Sequence, residues 1–143
     1  MVNLRMNPKS TGYSGTPLAK KLEIRTNSRF YTKNTPETYF QLLEPLPSGV
    51  SFHVQPTHAT DVAHVFVDRK LALSKDLIEL RKILRADVVV WISWPKKSSK
   101  VSSDITEDTI REEALPLGFD DIKVCSVTEV WSGLKLVVRN NLG

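Results

Sequence analysis

The chain has 143 residues, 41% of them hydrophobic and 25% charged, the size of one ordinary domain able to bury about two-thirds of its unfolded surface. That composition excludes a disordered chain, a collagen and a coiled-coil rod. The net charge of +4 is unevenly placed: residues 1–33 hold seven basic side chains and one acid, a balance of +6, while the remainder carries −2.

Residues 1–15 are polar and end in Gly12-Tyr13-Ser14-Gly15, which reads as a tail and loop ahead of a single domain over 16–143. Thr16-Pro17 has the form of a helix start, a hydroxyl cap followed by proline, with Leu18, Ala19 and Leu22 as a short apolar stripe. Arg29 to Lys33 predicts the first strand. Asn34-Thr35-Pro36 then opens a helix through Leu43, and Pro45 to Gly49 stops it.

Val50 to Val54 predicts a short strand. Val62 to Val67 is mostly apolar and β-branched, as suits a central strand covered on both faces. Ser74 is placed to cap a helix in which Leu77, Leu80, Ile83 and Leu84 recur at three- and four-residue spacing. Asp87 to Trp94 is the most apolar strand, and Lys96 to Lys100 is a polar loop. Asp104 or Thr106 caps a further helix that Gly118 ends. Ile122 to Thr128 and Leu134 to Arg139 then alternate as antiparallel strands joined through Trp131-Ser132-Gly133.

Strand and helix alternate through most of this order, which argues for a parallel sheet with helices on both faces. The expected fold is therefore α/β: a shortened doubly wound, Rossmann-like and methyltransferase-like sheet, mostly parallel, ending in an antiparallel β-hairpin. An exposed edge near Leu134 to Val138 makes a homodimer through strand pairing an expectation. Cys125 is the lone cysteine, so no intramolecular disulfide forms; with no apolar run long enough to cross a bilayer, the chain reads as cytoplasmic and free of the membrane.

The segments Gly12 to Leu22, Pro45-Leu46-Pro47, Trp91 to Lys97, Lys123-Val124-Cys125 and Trp131 to Lys135 together resemble a family of small bacterial proteins catalogued as a domain of unknown function. The resemblance implies the same Rossmann-like architecture and brings no catalytic residue with it.

In such a fold ligands sit beyond the carboxyl ends of the strands, where strand order reverses. The loop after the first strand supplies Asn34, Thr35 and Glu37 as candidate ligand contacts. It lacks the glycines of dinucleotide and S-adenosylmethionine sites, and Glu37 opposes an anion while suiting a ribose hydroxyl or an ammonium group. Trp94, Lys96 and Lys97, at the exit of the most apolar strand, combine a flat apolar surface with two cations and are the second candidate group. Against this stands the ordinary reading of core tryptophans beside solubilising lysines, with Trp91 and Trp94 on opposite faces. Ser14, Gly15, Thr16 and Lys20 are a candidate anion site, although this segment is no P-loop.

His53, His58 and His64 show no metal-ligand spacing, so no metal is assigned. Ser93 lacks the glycines of a nucleophile elbow, and Cys125 reads as an inert packed thiol. No cofactor follows from these residues alone. The primary expectation is a non-catalytic or degenerate module that binds a small anionic ligand or a protein partner. The alternative is an S-adenosylmethionine- or nucleotide-dependent enzyme with an atypical site. A nucleic-acid binder using the basic N-terminal third comes last, since the helix after Asp104 is acidic and no nucleic-acid motif is present.

Overall fold

The computed structural model describes residues 16–139; Ser14, Gly15 and the tail lie outside them. One six-stranded sheet has the order β2-β1-β3-β4-β6-β5, with β1 Arg29–Lys33, β2 Ser51–His53, β3 Val62–Phe66, β4 Val89–Pro95, β5 Phe119–Ser126 and β6 Trp131–Val138. The first four strands run parallel, and β6 inserts antiparallel between β4 and β5. The expected fold class is therefore the observed one, and the central place given to Val62–Val67 holds: all five residues of β3 are buried.

Alternation along the strands divides the core into two layers. On one face α3 (Lys70–Ile83) and α4 (Glu107–Ala114) cover Ala63, Val65, Val90, Ile92, Trp94 and Leu134. On the other, α1 (Leu18–Lys21) and α2 (Tyr39–Leu42) cover Phe30, Val62, Phe66 and Trp91. Trp91 and Trp94 thus occupy opposite faces, as their spacing requires.

Several local expectations are corrected. Pro17 sits at the cap position of α1 and no side chain caps that helix, so Thr16 does not take that role. The helix expected from Asn34 to Leu43 shrinks to one turn, because Asn34 adopts a left-handed backbone (φ +59°) that ends β1 and diverts the chain. The third helix starts four residues before Ser74: Asp104 Oδ1 accepts from the Lys70 amide at 2.6 Å, and the Ser74 hydroxyl donates to Glu113 instead. Thr106 does cap α4, in a reciprocal box with Thr109.

The hairpin turn lies at residues 127–130, not at Trp131-Ser132-Gly133, which begin β6. Thr128 explains the shift, since its hydroxyl accepts both the Val130 and Trp131 amides at 3.0 Å. Gly133 is needed inside the strand: a Cβ there would lie 2.9 Å from Val127 Cγ2 and 3.5 Å from Trp91 Cε3. The dimer expectation through Leu134–Val138 fails as drawn, because β6 is paired on both sides. The sheet edges are β2 and β5.

Candidate ligand cleft at the carboxyl edge

Strand order reverses between β1 and β3, so the carboxyl ends of these strands mark where an open α/β sheet receives a ligand. The hairpin turn belongs to the same edge, since Trp131 pairs with Pro95 at the end of β4. A cleft of about 480 Å³ opens there on the α1/α2 face. One wall is Pro36, Thr38, Gln41 and Leu42; the other is the turn, Thr128 to Trp131.

Its foundation is a buried polar chain. Tyr39 Oη lies 2.6 Å from His64 Nδ1, and His64 Nε2 lies 2.7 Å from Ser93 Oγ. This linkage ties α2 to β3 and β4 directly beneath the cleft walls. Complete burial holds the His64 imidazole neutral, with its pKa pushed down to about 3, and burial likewise raises the Tyr39 phenol well above its ordinary value. Ser93 is fully buried, so it braces the histidine and does not act as a nucleophile. Phe66 stacks on His64 at 4.3 Å and meets the edge of Trp131 at 5.1 Å, which fixes the indole at the rim.

Of the candidates in the loop after β1, Asn34 donates its side-chain amide to Phe66 O at 3.4 Å and so stitches β1 to β3 across the reversal point. Thr35 is half-buried and Glu37 exposed, and the cleft wall is built from their neighbours Pro36 and Thr38. Trp94 and Lys97 face a separate pocket of about 350 Å³ on the α3/α4 side, together with Thr106 and Glu107. Lys96 also borders that pocket, and its ammonium donates to Ser126 Oγ at 2.8 Å. Lys20 is exposed on α1 and Thr16 half-buried ahead of it; Ser14 and Gly15 fall outside the described residues, leaving that anion site without a geometry.

Gln41, Thr128, Glu129 and Trp131 were missed from sequence. The available signal was the turn chemistry of Thr128, which sets the true hairpin position and with it the carboxyl-edge location of Glu129 and Trp131. Among the described residues no cluster of histidine, cysteine and carboxylate side chains is arranged for a metal, and no helix is long and apolar enough to cross a membrane. Burial pushes the Cys125 thiol up despite Lys21, Lys123 and Lys96 nearby, which fits an unreactive packed residue.

No protein-family profile and no curated protein matches the sequence. Solved structures do. A SAM-dependent methyltransferase from Aquifex aeolicus matches with a TM-score of 0.62 at 11% identity, over 85% of this chain and 87% of that one. A tRNA methyltransferase from B. subtilis matches at 0.52 and 11% identity, over 90% and 68%. A pericyclic reaction enzyme matches at 0.53 and 13% identity, over 94% and 50%. The chain therefore has the methyltransferase-like α/β fold, a scaffold found here with more than one chemistry.

Proposed function

We propose that this chain is an enzyme that binds S-adenosylmethionine in the carboxyl-edge cleft through an atypical site. The observation that carries the reading is the position and chemistry of that cleft. It lies at the strand reversal point, and its volume falls within the roughly 300–1,000 Å³ common for small-molecule sites. Its walls combine apolar surface from Leu42, Val130 and Trp131 with the Glu129 carboxylate.

The loop after β1 offers no glycine nest for phosphates, and Pro36 lacks an N–H. That disfavours nucleotides and dinucleotides, whose binding depends on such donors. A phosphate-free ligand bearing cationic groups and ribose hydroxyls suits the residues present. Asn34 supplies the left-handed residue that glycine usually provides at such a turn.

When bound, S-adenosylmethionine supplies a methyl group on a positively charged sulfur. The chain's own parts in this reading are distinct. Trp131 offers a fixed aromatic surface to a purine, Glu129 balances positive charge and accepts from hydroxyl groups, and Gln41 and Thr38 supply neutral polar contacts. The fold similarity favours this reading over a non-catalytic module, and the family resemblance fits a small bacterial, cytoplasmic protein. Among the described residues of the basic N-terminal third, Arg29 and Lys33 lie at opposite ends of β1, and Lys33 is paired with Asp76 at 2.6 Å, which gives the nucleic-acid reading no support.

Calorimetric titration with S-adenosylmethionine and S-adenosylhomocysteine tests the proposal. Saturable binding that perturbs the backbone resonances of Gln41 and Thr128–Trp131 is expected. Absence of binding at millimolar ligand, or binding mapped to Trp94 and Lys97, would overturn it.

A further inference from the structure

The two open edges of the sheet are built differently. β5 carries Asp120, Asp121 and Lys123, and a register shift between Asp121 and Lys123 bulges it. Charges and bulges are devices by which an edge strand avoids pairing with another chain. β2 has neither. Val50-Ser51-Phe52-His53-Val54 contains no lysine, arginine, carboxylate, glycine or proline, and its register with β1 is regular.

All three residues of β2 are exposed. The Ser51 amide donates to Ser28 O at 3.0 Å, so the backbone groups of Ser51 face β1, and alternation along the strand turns the N–H and C=O of Phe52 to the open edge. The apolar side chains are open too. Phe52 is 40% exposed and Val54 88%. Phe52 rests on Phe30 at 5.5 Å and on Phe40 at 5.0 Å, and Phe40 is itself 42% exposed. An apolar surface therefore continues the α1/α2 layer of the core out past the last strand.

The segment is also symmetric about Phe52. Either direction meets a polar residue, Ser51 or His53, and then a valine, Val50 or Val54. An antiparallel second copy, related by a twofold axis at Phe52, sets the two Phe52 residues opposite each other as a pair exchanging both backbone hydrogen bonds. Ser51 then faces the second copy's His53, and Val50 faces its Val54. Each pair matches in kind, and Ser51 Oγ already lies 3.1 Å from His53 Nε2 within the strand. Such an axis stands normal to the sheet, so the α1/α2 faces of both copies lie on one side and their Phe40–Phe52 pairs adjoin.

We propose that this chain self-associates through β2 as an antiparallel twofold dimer that joins the two sheets into one. Self-complementarity in backbone and side chains makes a second copy the occupant of this edge. A five-residue edge with Phe40 beside it is smaller than the roughly 20–30 residues a side of a stable interface, so the association is reversible and depends on concentration.

Sedimentation equilibrium of the full chain from micromolar to millimolar concentration tests this, and a monomer–dimer equilibrium is expected. In a mixture of isotope-labelled and unlabelled chains, an intermolecular contact should join Ser51 Hα to the second copy's His53 Hα, because antiparallel pairs that are not hydrogen-bonded approach most closely. Phe52→Lys, which brings two like charges together at the axis, should abolish the dimer. Val54→Lys, at a side chain too exposed to support folding, should weaken it about tenfold, or roughly 1.4 kcal/mol. Val124→Lys, the same change at a 43% exposed residue of β5, should leave the dissociation constant within a factor of about two.

A monomer throughout the concentration range overturns the proposal, as does a dimer that Phe52→Lys and Val54→Lys leave intact. An equal loss in Val124→Lys also overturns it, since the contact would then lie at β5. The association involves no S-adenosylmethionine, so its failure and the failure of the cleft reading are separate results.

Discussion

The two pockets flanking the end of β4 differ in an instructive way. On the α3/α4 face, Trp94 and Lys97 stand next to Glu107 and the cap of α4 in a space of about 350 Å³. On the α1/α2 face, Trp131 and Glu129 border about 480 Å³. The first has the more suggestive sequence, a tryptophan followed by lysines. Trp94 is 7% exposed, however, and belongs to the core, whereas Trp131 is half-buried at a rim. Lys96 also borders the first pocket, with its ammonium bonded to Ser126 Oγ at 2.8 Å. Adjacency in sequence thus names the residues of a site less well than strand alternation and side-chain reach, which decide the face each group serves.

The largest expected effect compares the two core tryptophans. Trp91→Ala removes a fully buried ring and the indole bond to Leu22 O at 3.0 Å, for a loss of about 3–5 kcal/mol. Trp94→Ala should cost less, since Trp94 retains some exposure. Urea denaturation ranks them, and equal losses would break the distinction between the faces.

Next comes the acid response of the buried chain under the cleft. The His64 imidazole has a folded-state pKa of about 3 against an ordinary 6.5, so the unfolded chain binds a proton that the folded one refuses. Its contribution to stability is whole above pH 6.5 and falls as the pH drops from there toward 3, by up to about 1.4 kcal/mol per pH unit. The lowered carboxylates Asp61, held by the Arg29 amide and Arg85, and Asp121, held by Arg111, give stability that is whole above their ordinary 3.8 and lost only as the pH falls below it, a separate window. Denaturation between pH 7 and 4 should therefore steepen with His64 present and flatten in His64→Gln. A flat wild-type profile would show that the imidazole protonates in place.

A third, smaller effect reads the ligand directly. Glu129→Gln should weaken S-adenosylmethionine about tenfold, the scale of one hydrogen bond to a charged group. Glu107→Gln, which removes a carboxylate from the other pocket, should change affinity by less than about twofold. The reverse order would move the site to the α3/α4 face.

Much of this fold was legible because its signals are local. β1 was read with its observed bounds, β3 stood out as a β-branched run, and Thr106 and Gly118 marked the start of α4 and the turn after it. The site was less legible, because long-range contacts build it. Tyr39, His64 and Ser93 meet across three elements. The hairpin shift displaced Trp131 from loop to strand, so its proximity to the loop after β1 was hidden. Asn34 lies in the loop at the reversal point, where its side chain donates to Phe66 O and takes no place in the cleft wall.

The smallest effect probes the pocket assigned no ligand. Thr109 N donates to Thr106 Oγ1 at 3.2 Å and Thr106 N to Thr109 Oγ1 at 3.0 Å, so each threonine satisfies a backbone amide that the first turn of α4 leaves open. Thr106→Ala should cost about 1 kcal/mol of stability, read from the shift in the urea midpoint. Because Thr106 also borders the α3/α4 pocket, the same variant tests that pocket without touching the cleft. With the sheet intact and the cleft as the binding site, S-adenosylmethionine affinity should stay within a factor of about two. A loss matching that of Glu129→Gln would mean that the ligand leans on the start of α4, and the tryptophan-lysine signal at the end of β4 would regain the role that the geometry assigns to the hairpin.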